Sequence, residues 1–177
     1  ELGGPVSFET VPTGTATLPA TDSAAALAFQ QEADRLMKAV AGTSRAMEEF
    51  QARIDHLRRA AIDTADGDAD WFQRLEGLET RLNDLQVELL GDSTVARRSE
   101  PISPSIRARV GRAYGYSLTT SSAPTATQRR QVEIAAEEFG PVLESFKSLL
   151  IDLETLETEM DAAGAPWTPG RIPEWQP

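Results

Sequence analysis

The sequence predicts an all-α protein, an elongated antiparallel helical bundle with extended N- and C-terminal arms. Two observations support this prediction. Two long stretches repeat apolar residues at alternating spacings of three and four, and residue types that begin or end helices border each stretch. Side chains at these spacings lie on one face of a helix, so each stretch forms a long apolar strip that must be covered by a partner.

We call these strips the first and second seams. The first seam consists of Phe29, Ala33, Leu36, Val40, Thr43, Met47, Phe50, Ile54, Leu57 and Ala61. The second seam consists of Val132, Ala135, Phe139, Val142, Phe146, Leu149, Leu153, Leu156, Met160 and Ala163.

The first seam predicts a helix over residues 24–64, which Asp22 or Ser23 can cap and which Gly42 weakens. An Asp- and Gly-containing turn follows. Asp68 is the predicted N-cap of a second helix, whose leucine-rich face continues to a stop at Gly91.

A polar linker precedes a third, weaker helix, for which Ser103 and Pro104 provide a start signal. Thr125 and Gln128 then form a capping box, which predicts a last helix that runs to about residue 163. Proline has no backbone N–H, so Pro141 predicts a kink within this helix.

The chain therefore divides into a bundle at 21–164 and two flanking segments. Residues 1–20 are predicted to be an extended arm or the last strand of an upstream β domain, and residues 165–177 an extended tail that packs on the bundle. The sequence begins without a methionine or a leader pattern, so we expect it to be part of a longer protein.

Helix lengths leave two packing arrangements open. The two short middle helices together match the length of each long helix, which favours three antiparallel layers with the middle layer broken at 91–103. The alternative is a compact bundle of four helices, which leaves parts of both seams uncovered.

Composition excludes several classes of function. The 177 residues include 28 Asp and Glu but 17 Lys and Arg, a net charge of −11 that disfavours binding to nucleic acid. No apolar run is long enough for a transmembrane helix, so no membrane insertion is predicted. Cysteine is absent, which excludes thiol chemistry. The three adjacent arginine pairs, at 58–59, 97–98 and 129–130, are interpreted as solvated surface.

The candidate chemical motifs are weak. His56 is the single histidine and has no neighbouring partner motif. The sequence Asp-Gly-Asp-Ala-Asp at 66–70 resembles half of a calcium loop, but Trp71 and Gly77 stand where that loop needs Gly and Glu. No catalytic residue, metal ligand or cofactor is therefore predicted.

The last helix ends in an acidic run: Asp152, Glu154, Glu157, Glu159 and Asp161. Paired carboxylates hydrolyse glycosides when they face each other across a cleft, but these are predicted to lie on the outer face of the helix. Because acids oppose the dipole at a helix C-terminus, we expect basic neighbours such as Arg35 and Lys38.

Several turn and cap sequences resemble the region after the propeller in bacterial sortilin-like, BNR (Asp-box) repeat proteins, which are often labelled glycosyl hydrolases. They are Gly-Pro-Val-Ser-Phe-Glu-Thr-Val-Pro at 4–12, Ala-Thr-Leu-Pro-Ala at 16–20, Ala-Phe-Gln at 28–30, Ala-Pro-Thr-Ala-Thr-Gln at 123–128 and Gly-Ala-Pro-Trp-Thr-Pro-Gly-Arg-Ile-Pro at 164–173. The resemblance implies a C-terminal helical module of an extracytoplasmic protein, periplasmic or secreted. The Asp-box repeat itself is absent, so no propeller residue can be assigned here.

We therefore predict a non-catalytic helical interaction or assembly module at the C-terminus of a larger propeller-containing protein. Its expected partners are its own parent domains or a second copy, through seam residues left uncovered near Phe29 or Leu156. The alternative is a fragment of a glycoside hydrolase or of a carbohydrate-binding protein.

Overall fold

The structure, a computed structural model, describes residues 3–11, 13, 22–65, 67–98 and 100–172. Within these ranges it contains helices and no strand, which confirms the all-α class. The helices are α1 Ser23–Asp63, α2 Asp70–Leu90, α3 Ser93–Arg97, α4 Ile106–Thr119 and α5 Ala126–Ala162.

Side-chain caps explain where the helices begin. The Asp22 carboxylate accepts a hydrogen bond from the backbone N–H of Ala25 at 2.8 Å, which starts α1 as predicted. Thr125 and Gln128 form the predicted reciprocal capping box of α5. Asp68, the predicted N-cap of α2, does not occupy the cap position, which is Ala69; its carboxylate accepts from the N–H of Asp70 at 2.9 Å.

Two other starts also differ from the prediction. Helix α4 begins at Ile106 instead of at the Ser103-Pro104 signal, because the hydroxyl of Ser105 accepts from the N–H of Ala108 and acts as the cap. The short helix α3 was not predicted. Its cap is Asp92, whose carboxylate accepts from two backbone N–H groups, those of Thr94 and Val95.

Glycines end both α2 and α5 at the predicted positions. Gly91 has φ +92° and Gly164 has φ +78°, values that favour glycine because it lacks a Cβ. After α5, the N–H of Ala165 donates to the carbonyl of Met160 at 2.9 Å and closes the last turn. Pro141 lies inside α5, which continues through it as one helix.

The helices form three rods that lie side by side, and one of the rods is interrupted. Helices α1 and α5 are each roughly 55–60 Å long and run in the same direction in contact with each other. Helices α2 and α4 run the opposite way, one after the other, and each contacts both long helices. This layout is the predicted three-layer arrangement with a broken middle layer. Helix α3 lies within the break.

The two seams form the interior. Nine of the ten residues in each seam are buried. The exception in the first seam is Leu36, which is half-buried, and the exception in the second is Ala163, which follows the end of α5 and is exposed. A main core extends over α2, the start of α4 and most of α1 and α5, with Phe50 and Phe146 edge to face at 5.7 Å between ring centroids. A small satellite cluster at the other end joins Phe29, Ala33, Ala113 and Val132.

The terminal segments differ from the expectation in part. Residues 3–11 form no strand, and Val6, Phe8 and Val11 are fully solvent-exposed side chains. In the tail, Ala165 and Thr168 are buried on the bundle, whereas Ile172 is 88% exposed. Residues 14–21 and 173–177, including Trp175, lie outside the described ranges.

Candidate interaction surface

The predicted contact residues Phe29 and Leu156 are both inside the bundle. Phe29 is 4% exposed because the satellite cluster encloses it, and Leu156 is 0% exposed because it lies in the main core. The expectation that the bundle leaves these side chains uncovered is therefore wrong. The reason is the middle rod, in which α4 covers the first turns of α1 and α2 covers the last turns of α5, on either side of the break.

The acidic run of α5 is paired with arginines, and the partners are not Arg35 and Lys38. Arg74 and Arg81 of α2 are one heptad apart, and they bind Glu159 and Asp152 of α5, which are also one heptad apart. Antiparallel helices bring such positions opposite each other, so the two pairs repeat along the α2–α5 contact. They lie on either side of a shallow groove of about 340 Å³.

The carboxylate of Glu157 is buried against α1. Its two oxygens accept hydrogen bonds from Nε and Nη2 of Arg53, at 3.1 Å and 2.7 Å, in the bidentate geometry typical of Arg–carboxylate pairs. The residue is 7% exposed, so removing Arg53 would leave the charge of Glu157 buried without a partner. The sequence pattern gave no sign that this member of the acidic run faces inward.

Hydrogen bonds that the carboxylates accept shift three acidic pKa values downward. The Arg58 guanidinium, 2.6 Å away, holds the pKa of Glu79 below its ordinary value, and the hydrogen bond from Arg74 does the same for Glu159. The pKa of Asp92 is lowered by the backbone N–H groups of Thr94 and Val95. All three shifts favour the charged carboxylate and thus the paired, folded arrangement.

The candidate metal and histidine positions do not come together. His56 is exposed on α1, next to the buried Leu57. Of the half calcium loop, Asp66 is outside the described residues, and Asp68 and Asp70 are exposed at the start of α2. Among the residues that the structure describes, no three His, Asp or Glu side chains are grouped closely enough to hold a metal ion.

A groove with a mixed polar and apolar lining lies where the middle rod is broken. It has a volume of about 920 Å³ and separates the end of α2 from the start of α4, with α3 along one side. Val87, Leu90 and Ile102 line it and remain 49%, 37% and 48% exposed. We call these three residues and the space between them the junction groove. Gly91 lies at its base, where its Cα faces Ser105.

The junction groove was not predicted, although one signal for it exists in the sequence. Val87 and Leu90 fall outside the leucine-rich face of α2, and Ile102 lies in a linker that was interpreted as polar. Apolar residues off the core face, close to a break between helices, indicate a surface that is not required for internal packing.

Within the described ranges, the structure has no helix of the length and apolar character needed to cross a membrane. Comparisons with known proteins add no family: no protein-family model matches the chain, and neither a curated protein nor a solved structure matches it significantly.

Proposed function

We propose that this chain is a non-catalytic helical interaction or assembly module, and that its contact surface is the junction groove. The observation that carries the proposal is the use of the seams. Both seams are covered within the chain, so a partner would contact apolar side chains outside them, of which Val87, Leu90 and Ile102 line the junction groove. An apolar groove bordered by polar residues is a typical site of protein–protein contact.

The carboxylates support a non-catalytic function. The acids that glycoside hydrolysis would require are held by arginines, as in the Arg53–Glu157 and Arg81–Asp152 pairs. The groove beside α2 and α5 is lined by one carboxylate, that of Asp152, and the junction groove also by one, that of Asp92. General acid–base hydrolysis needs two carboxyl groups across one cleft.

The partner is a domain of the parent protein or a second copy of the chain. The parent that the turn and cap sequences favour is an extracytoplasmic propeller-containing protein of the sortilin-like type, in which this chain forms the C-terminal helical part. The exposed arm, with Val6 and Phe8 more than four-fifths solvent-accessible, leads towards the N-terminal side, where such domains would be connected.

Self-association is tested by sedimentation velocity over a wide range of protein concentrations. The test variant is Leu90→Glu with Ile102→Glu, which places two charges in the junction groove. The matched control is Ile151→Glu, because Ile151 is 63% exposed on α5 and does not line the groove. We expect the wild type and the control to associate and the groove variant to remain monomeric.

A monomeric wild type assigns the groove to the parent domains, and the same variants are then compared in the full-length protein by limited proteolysis across the domain junction. Groove variants that leave both association and domain docking unchanged contradict the proposed surface. Hydrolysis of a panel of aryl glycosides by this chain alone contradicts the non-catalytic function and supports the glycoside hydrolase alternative.

A further inference from the structure

A second cleft, which meets the junction groove at Pro104 and Arg112, has the chemistry of an anion-binding site. It has a volume of about 460 Å³ and lies between α4 and the first turns of α5. This volume is within the usual range for small-molecule sites. Its polar lining comes from Arg109, Arg112 and Tyr116 on α4 and from Gln128 and Gln131 on α5, and it contains no carboxylate. We call it the α4–α5 cleft.

The cleft lies in a basic region of an acidic protein. Residues 97–130 contain seven arginines and one acid, Glu100, whereas the whole chain has a net charge of −11. Elsewhere, the arginines Arg53, Arg58, Arg74 and Arg81 each bind a carboxylate of another helix. Within this region, Arg107 and Arg112 form no ion pair with a described residue, whereas Arg130 pairs with Glu133 and Glu137 of its own helix.

Arg109 is held in place at the base of the cleft. Its Nη1 donates to the amide oxygen of Gln131 at 2.9 Å, and its Nε lies 3.5 Å from a carboxylate oxygen of Glu138, outside the cleft. The side chain is 14% exposed, and its buried Nε makes no hydrogen bond. Because Gln131 accepts with its oxygen, its amide N–H groups remain as donors.

Arg112 supplies the second cation. It is exposed on the next turn of α4 and forms no ion pair with any residue that the structure describes. The hydroxyl of Tyr116 and the amide group of Gln128 add further donors around the same space. Pro104, Ala113 and the ring of Tyr116 give the cleft an apolar wall.

We propose that the α4–α5 cleft binds an organic monocarboxylate, with the carboxylate between Arg109 and Arg112 and the apolar part of the ligand along the Tyr116 wall. Two guanidinium groups and the nearby Glu138 leave a net charge of about +1, which one carboxylate neutralises. A dianionic phosphate would be repelled by Glu138. Arginine binds carboxylates in a bidentate geometry, which fixes the orientation of the ligand. Pro104 and Arg112 also line the junction groove, whereas the remaining residues of the cleft do not, and this site does not depend on the proposed function.

The test is a calorimetric and NMR titration of the whole chain with 4-phenylbutyrate, at low ionic strength and neutral pH. We expect saturable binding with a dissociation constant of about 1 mM or tighter, and weaker binding of phenyl phosphate. The uncharged 4-phenylbutan-1-ol should not bind. Because a hydrogen bond to a charged group is lost, Arg112→Gln should weaken the binding of 4-phenylbutyrate by about tenfold or more.

Arg107→Gln is the matched control. Arg107 lies on the same helix, is exposed and unpaired among the described residues, and does not line the cleft. Circular dichroism checks that both variants keep the helix content of the wild type. The proposal is overturned if 4-phenylbutyrate does not bind, if the alcohol binds equally well, or if the two arginine variants lose affinity equally.

A second measurement distinguishes a free organic acid from an acidic side chain of a second copy as the natural carboxylate. Sedimentation velocity is repeated without 4-phenylbutyrate and with 4-phenylbutyrate at about ten times its measured dissociation constant. This concentration is enough to fill most of the sites. Dissociation of a wild-type oligomer by the probe assigns the carboxylate to a second copy. An unchanged sedimentation profile, with binding still dependent on Arg112, assigns it to a free acid.

Discussion

The two halves of the bundle are stabilised in different ways. We call the half built by α2 with the later parts of α1 and α5 the paired half. There, ion pairs such as Arg53–Glu157 and Arg81–Asp152 join the helices at the surface of the main core. In the half built by α4 with the earlier parts of the same helices, the open half, the apolar contacts include the small satellite cluster, and the inter-helix ion pair is Arg109–Glu138.

The difference shows where the molecule can engage other molecules. In the paired half, the arginines Arg53, Arg58, Arg74 and Arg81 already bind carboxylates of other helices, so binding a ligand at these residues would require breaking existing pairs. In the open half, Arg107 and Arg112 have no carboxylate partner among the described residues. Charge that is not neutralised internally is available for recognition, and both surfaces proposed here adjoin α4.

The largest expected effect comes from the core of the paired half. Leu82 of α2 is 0% exposed in the main core, and Leu82→Ala should lower the free energy of unfolding by about 2–5 kcal/mol, because it removes buried contacts and leaves a cavity. Urea denaturation measures the change. The control Val87→Ala, on the same helix but 49% exposed, should change it by less than about 0.5 kcal/mol. Equal effects would contradict the assignment of α2 to the core.

The second largest effect is expected from the buried ion pair. Arg53→Met leaves the carboxylate of Glu157 buried without a partner and should cost about 1–3 kcal/mol at neutral pH, less than for a fully buried pair because Arg53 is 32% exposed. The double variant Arg53→Met, Glu157→Leu should recover most of this loss in a double-mutant cycle. No recovery would mean that the pair is not coupled in solution.

A smaller effect is expected from the cap of α5 in the open half. Thr125→Ala removes the capping box and should cost about 1 kcal/mol, with faster hydrogen exchange in the first turns of α5. Thr80→Ala is the control, because the Thr80 hydroxyl donates to the carbonyl of Glu76 within its own helix and caps nothing. Unchanged exchange in the Thr125 variant would contradict the cap.

The smallest effect is a pH dependence of the paired half. Because Arg58 and Arg74 hold the pKa values of Glu79 and Glu159 below the ordinary 4.5, these pairs stabilise the fold above that pH, and the contribution is lost as pH falls through the folded-state values. The stability difference between the wild type and Arg74→Gln should therefore shrink below pH 4.5. For Arg107→Gln the difference should not depend on pH, and urea denaturation across this range compares them.

Much of the fold follows from local sequence signals. The seams and caps predicted α1, α2, α4 and α5, and the summed helix lengths favoured the broken middle rod. Helix α3 was missed because five residues are too few to show a period, and its signal was the single cap Asp92. Pairing of surface charges was not predictable in the same way. The pairing of acids with arginines depends on how neighbouring helices are aligned along their axes. A seam shows which residues face the core, but it does not show which surface residues lie opposite each other.

The candidate surfaces were missed for a related reason. Phe29 and Leu156 were chosen because they stand near the ends of seams, but the tertiary contacts of α2 and α4 decide burial at those ends. Arg112 and Gln131 are separated in sequence and belong to different helices, so their common cleft appears when the rods are assembled. The periodicity of a single helix does not indicate which residues of other helices lie next to it.

Pro141 has a mechanical consequence for the whole rod. Without an N–H it leaves the carbonyl of Glu137 without its usual helical donor, near the level at which Arg109 meets Glu138 and the middle rod is interrupted. Gly42 of α1 lies a few residues beyond Met37, which approaches Gly111 of α4. We therefore expect a lateral load to bend the molecule first near this level, where each rod contains a break, a proline or a glycine.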